Sequence, residues 1–258
     1  GSHSSGGAGG GGGGSSAAAM SAAAKRRMES DPELGQLQSI LLSTTVKSWT
    51  DRKTALDRVI DLLVRNYDTL RDAGKLSACV DCLLERLSDG SAKVHMHTIN
   101  CLEKLNEEEP LILQHNLVQI VVPAVMNSAS TNNKPIAAKS LQLIRHLFDT
   151  LPPAQVAQYL CHAALHETEK LRLTCLKFLA DVTPVFCADQ DTIVGVVKKT
   201  IFPSLCKILF AASTKGDVRV CASDGLRSLQ ACLPADKLWL WSDDPHQQEE
   251  LKRITANV

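Results

Sequence analysis

The feature that most restricts what this chain can fold into is a spaced apolar pattern present in four copies. From Val94, apolar residues stand at offsets 0, 2, 5, 8 and 11 as Val94, Met96, Ile99, Leu102 and Leu105. The same offsets give Ile136, Ala138, Leu141, Ile144 and Leu147, and then Leu171, Leu173, Leu176, Leu179 and Val182. A fourth copy runs Val218, Val220, Ser223, Leu226 and Leu229, where only Ser223 departs. An opening copy keeps Leu56, Val59 and Leu62 but carries Asp51 and Lys53 in its first two places. The starting points 51, 94, 136, 171 and 218 lie 43, 42, 35 and 47 residues apart. The spacing is helical, and strand alternation is hard to find. The aromatic fraction of 4% is also low for a sheet protein.

Each later stripe follows another apolar segment of helix length, at 75–87, 111–126, 155–165 and 192–210, the last interrupted at Pro203. A period near forty with two helices per unit marks a HEAT-type array. One pair cannot cover its own apolar face, so neighbouring pairs must stack into a continuous core. The expected fold is therefore all-α, a HEAT-repeat α-solenoid of about six helix pairs over residues 31–258. Residues 31–42 open the first pair and 245–256 close the far end. Polar turns at 88–92, 127–133 and 213–217 fall within pairs, and stacking aligns such turns along one edge. Residues 1–30 read as a flexible Gly/Ser/Ala-rich leader, with Gly1-Ser2-His3 as the remnant of an expression tag.

Charge and chemistry narrow the function. Lys plus Arg and Asp plus Glu each number 28, giving a formal net charge of zero. That argues against nucleic acid as a partner, because neutralising phosphate needs a basic excess. No stretch approaches a membrane span. Nine scattered cysteines, an odd number without the close pairing of a disulfide framework, suit a reducing, cytoplasmic setting. Cys79-x-x-Cys82 lies in an apolar helix and reads as core. Cys161-His162 with His166 is the better start of a metal site, and a zinc hydrolase would be its use, but further ligands are lacking. His95 and His97, two apart on a helix, point away from each other. With no phosphate-binding glycine motif and no nucleophile-base pair, the expectation is a non-enzyme with no cofactor and no metal. Trp239 and Trp241 read as folding the C-terminal segment over the last pair, with a partner surface as the alternative.

The first within-pair turn is Ser48-Trp49-Thr50-Asp51-Arg52, in which Ser48 and Asp51 can form a capping box. Trp49 there is either a packing plug or a binding anchor. Basic residues recur at later turns in Lys93-Val94, Asn132-Asn133-Lys134, Glu169-Lys170-Leu171-Arg172 and Lys215-Gly216-Asp217-Val218-Arg219. From about residue 33 onward the chain resembles a TOG domain, the tubulin-binding module of microtubule polymerases, CLASP-type rescue factors and several ciliary proteins. The resemblance implies αβ-tubulin as partner, bound by the turn edge, and a place on the cytoskeleton at microtubules, centrosome or cilium. It implies Trp49 and Val94 as apolar anchors, with Arg52, Lys93, Lys134, Lys170, Arg172, Lys215 and Arg219 facing acidic tubulin surface. Glu167 and Glu169 dilute the positive charge of the fourth turn. An aromatic anchor ringed by basic side chains is a sound hot spot for an acidic protein whatever its name. The alternative is a HEAT-repeat scaffold binding a non-tubulin partner on its concave face or through the C-terminal Trp segment.

Overall fold

The apolar stripes become the buried faces of five long helices in the computed structural model, which describes residues 22–114, 118–214 and 216–256. The chain opens with α1 (Ala22–Ser30), α2 (Pro32–Gly35), α3 (Leu37–Ser43) and α4 (Trp49–Arg65). Next come α5 (Tyr67–Asp72), α6 (Leu76–Glu85) and α7 (Ala92–Glu108), followed by α8 (Leu111–Gln114), α9 (Val118–Ala129) and α10 (Lys134–Phe148). Helix α11 (Pro153–His166) leads to α12 (Glu169–Phe186). Then α13 (Gln190–Thr192), a π-helical stretch (Ile193–Ile201) and α14 (Phe202–Phe210) lead to α15 (Gly216–Cys232). A short 3-10 helix (Leu238–Trp241) and α16 (Pro245–Thr255) close the far end. The described residues contain no strand.

Five pairs are formed by α3 with α4, α6 with α7, α9 with α10, α11 with α12, and α14 with α15, and α16 packed on the 3-10 helix closes the array as a sixth. The leading helices pack in the order α6, α9, α11, α14, and among the stripe helices α4 packs on α7, α7 on α10, and α12 on α15. The result is one core that runs from Leu34 to Ile254. Each fully buried leucine or isoleucine adds about 1.5–3 kcal/mol by leaving water. Ion pairs join successive stripe helices on their outer surface: Lys104–Asp61 at 3.3 Å, Lys139–Glu103 at 2.6 Å and Arg145–Asp181 at 2.7 Å.

Within each stripe the second position behaves differently from the rest. At about 100° per residue, offsets 0, 5, 8 and 11 share one arc of the helix while offset 2 is turned away. Val94, Ile99, Leu102 and Leu105 are all fully buried, whereas Val220 is 57% exposed. Met96 and Leu173 are half-buried and Ala138 is exposed. The second position is thus the rim of each stripe: Met96 and Leu173 still pack against the core, as does half-buried Leu141 at offset 5 of its own copy.

Two segments differ from the sequence expectation. Residues 22–30, read as leader, form α1, in which Ala24 is buried and Met28 packs on the core; the rest of that leader lies outside the described residues. The helix before the fifth stripe does not break at Pro203. It widens to π geometry over Ile193–Ile201, where the Phe202 N–H donates to the Val197 carbonyl, and Pro203 then sits in the first turn of α14. The helix runs on through it, and the widened turn just before it makes room for the proline ring and its missing N–H within a continuous helix. All nine cysteines are free. Cys79 is buried as expected of a core residue, and Cys82 pairs with the Thr44 hydroxyl at 3.0 Å.

Candidate protein-binding edge

The first four within-pair turns lie side by side, and specific contacts tie each of them to the next. Arg52 of the first reaches Asp89 of the second at 2.9 Å. His95, in the first turn of α7, has Nε2 2.6 Å from Ser128 Oγ near the third turn. Lys170 of the fourth donates to Asn132 Oδ1 of the third at 2.5 Å. The outcome is an edge of short loops rather than a pocket.

Trp49 is the first residue of α4, capped by Ser48, whose Oγ accepts from the Asp51 N–H at 3.3 Å. The return half of the capping box is not made: the Asp51 carboxylate has no bond to the Ser48 N–H among the described residues. Trp49 remains 41% exposed, so it is not a plug. The Lys93 ammonium stands over its ring at 4.2 Å, and Lys53, one turn along α4, lies at 6.0 Å. A cation on an exposed indole face contributes about 0.5–1 kcal/mol. Trp49, Lys53, Lys93, Met96, His97 and Asn100 line an open groove of about 510 Å³. Leu42 and Val46, 59% and 39% exposed, extend the apolar surface of the first turn.

The other residues picked out from the sequence separate into three groups. Lys134 and Lys170 are exposed on the edge with Lys93. Val94 is wholly buried, which corrects its reading as an anchor: its position at offset 0 turns the side chain into the core. Arg52, Arg172 and Arg219 each donate back into their own turn, Arg219 while remaining exposed. Arg52 donates to the Val46 and Lys47 carbonyls at 2.7 and 2.9 Å. Arg172 Nε donates to the Ala164 carbonyl at 2.8 Å, and Arg219 Nη2 to the Ala211 carbonyl at 2.9 Å. All three occupy the fourth position of a stripe helix, from which a long side chain reaches back to carbonyls of the turn itself for Arg52 and of the end of the preceding helix for Arg172 and Arg219. Lys215 lies outside the described residues.

The His162 and His166 rings sit 4.8 Å apart, yet no third ligand joins them among the described residues. His95 is buried, and burial lowers its pKa. Burial pushes the Cys79, Cys101, Cys175 and Cys206 thiols up to about 12, which makes them poor nucleophiles at neutral pH. Trp239 and Trp241 pack against the core, Trp241 edge-on to Phe202 at 5.3 Å. Leu240 between them is 62% exposed. Sequence reading missed Lys53, Met96 and Asn100 as neighbours of Trp49. The signal was present, since Lys53 stands at i+4 from Trp49 and Met96 holds the outward offset of the second stripe.

Fold and edge together define an α-solenoid of HEAT-type pairs that presents one ridge of turns. No protein-family model matches the sequence, and no curated protein matches it. Solved structures do. The CEP104 TOG domain superposes with a TM-score of 0.64 at 16% identity, covering 92% of this chain and 98% of that one. A TOG domain of Zyg9 from C. elegans gives 0.62 at 14% identity, covering 93% and 97%. Crescerin, which uses a TOG domain array to regulate microtubules in the primary cilium, gives 0.61 at 19% identity, covering 86% and 88%. The chain has the fold of a TOG domain.

Proposed function

We propose that the chain is a non-enzymatic module that binds αβ-tubulin through its edge of within-pair turns, acting on microtubules as part of a microtubule-dynamics regulator. The observation that carries this reading is the exposed Trp49 with Lys93 stacked on its face. It is an apolar anchor already set within positive charge, on a fold whose solved relatives are TOG domains. Lys93, Lys134 and Lys170 supply the charge partners, and Met96 takes the place first given to Val94 as the apolar residue of the second turn.

The worth of the anchor follows from its exposure. With 41% of its surface in water, Trp49 has on the order of 100 Å² to bury, about 2.5 kcal/mol at 25 cal/mol per Å². Trp49→Ala should therefore weaken tubulin binding by roughly fifty- to a hundredfold. Isothermal titration with unpolymerised tubulin at low salt measures this, and a change under about threefold would count against the anchor. Because the lysines are exposed, affinity should also fall as salt is raised.

A further inference from the structure

We propose that Asp57, His97 and Cys101 form a site for one zinc-class divalent ion on the seam between the first two helix pairs. Helix α7 sets His97 and Cys101 four residues apart, on one face, and the packing of α4 on α7 brings Asp57 opposite both. Their ligand atoms all lie within 4.8 Å of one another. His97 Nε2 is 2.8 Å from Asp57 Oδ1, and Cys101 Sγ is 3.9 Å from the same oxygen. Tetrahedral zinc, with Zn–S about 2.3 Å and Zn–N and Zn–O about 2.0 Å, holds its donors about 3.3–3.6 Å apart. Side-chain shifts of about an ångström therefore bring all three donors onto one ion.

The donor set selects the ion. Imidazole, thiolate and carboxylate together suit zinc, whereas magnesium and calcium take oxygen ligands. The thiol is oriented for this role, since buried Cys101 donates to a carboxylate rather than facing only apolar neighbours. On binding, the ion replaces the hydrogen bond between His97 and Asp57, and the Cys101 thiol releases its proton to solvent. Thiolate and carboxylate then balance the two positive charges, with Lys53 and Lys104 nearby adding positive charge around the site. The fourth position opens on the side of half-buried His97 and exposed Asp57, next to the groove that His97 shares with Trp49. A bound ion would clamp α4 to α7 beneath the Trp49–Lys93 stack. The proposal does not depend on the tubulin reading.

The test is a titration of the full chain, stripped of metal, with Co(II). The expected result is a thiolate-to-cobalt charge-transfer band that saturates at one equivalent, is displaced by zinc, and is accompanied by a rise in Tm. Cys101→Ser should abolish the band, and Asp57→Asn should weaken binding by more than about tenfold. His97→Gln, at a partly exposed position, should do the same with the helical circular dichroism unchanged, which keeps the test valid if Cys101→Ser unfolds. His162→Gln should change nothing. Absence of a saturable band, or a band that persists in Cys101→Ser or at full strength in His97→Gln, would overturn the site.

Discussion

Replacing Arg52 with alanine asks whether the first two turns are held as one unit. The guanidinium pairs with Asp89 at 2.9 Å and donates to the Val46 and Lys47 carbonyls at 2.7 and 2.9 Å. The Arg52 side chain is 13% exposed and that of Asp89 5%, so little water is at hand to replace the lost donors. Removing one member of a fully buried pair costs about 3–5 kcal/mol. Asp89 keeps the Ser91 N–H at 2.8 Å and a second arginine, Arg86, at 3.6 Å. That residual support lowers the expectation for Arg52→Ala to about 2–3 kcal/mol, a fall in Tm of about 4–10 °C for a chain of this size. Equilibrium urea unfolding of Arg52→Ala, Asp89→Ala and the double variant should give a coupling energy of about 1–2 kcal/mol. The coupling should change little with added salt, because the pair is shielded from solvent. A coupling below about 0.5 kcal/mol, the range of an exposed ion pair, would refute the reasoning. It would return Arg52 to the role of a free surface charge.

Neighbouring residues of the second turn should separate stability from binding. Val94→Ala, at a wholly buried position, should destabilise by about 2 kcal/mol in urea unfolding, whereas Lys93→Glu should leave stability within about 0.5 kcal/mol and reduce tubulin binding. His95 has its pKa lowered from 6.5, mainly by burial, while Asp89 pulls the other way. The unfolded chain therefore takes up the proton more readily, so unfolding free energy holds above about pH 6.5 and falls as pH drops towards the folded pKa. His95→Gln should remove that portion of the slope in urea midpoints measured across this range. Gly74 has φ +66° at the end of α5, so Gly74→Ala should cost about 1–2 kcal/mol by thermal or urea unfolding, through backbone strain alone.

The array was legible because its signal is local and repeated. A stripe such as Val94, Ile99, Leu102 and Leu105 reports burial by periodicity, and the return of that stripe reports stacking. Trp49 and Lys93 could be placed near each other by register alone, without knowing any contact. The arginines could not be assigned in the same way. Their repetition at one register suggested a shared outward role, but whether an arginine faces a partner or turns back depends on which carbonyls the preceding helix leaves unpaired. Arg172 and Ala164 are eight residues apart and meet only once the turn is built. The π stretch before Pro203 was illegible for a related reason, since Ile193–Ile201 carries an apolar pattern that suits α or π geometry equally. The cluster of Asp57, His97 and Cys101 was hidden because it joins two helices forty residues apart in sequence. The sequence motif that drew attention, His162 with His166, finds no third donor among the described residues.

The most direct test of the central claim is size-exclusion co-elution with unpolymerised αβ-tubulin at low salt, comparing the chain with Trp49→Glu. The account predicts a shifted complex for the unaltered chain. For Trp49→Glu it predicts no complex, with helical content and Tm unchanged because the residue caps no core. Failure of the unaltered chain to shift tubulin at high concentration, or equal binding by Trp49→Glu, would contradict it.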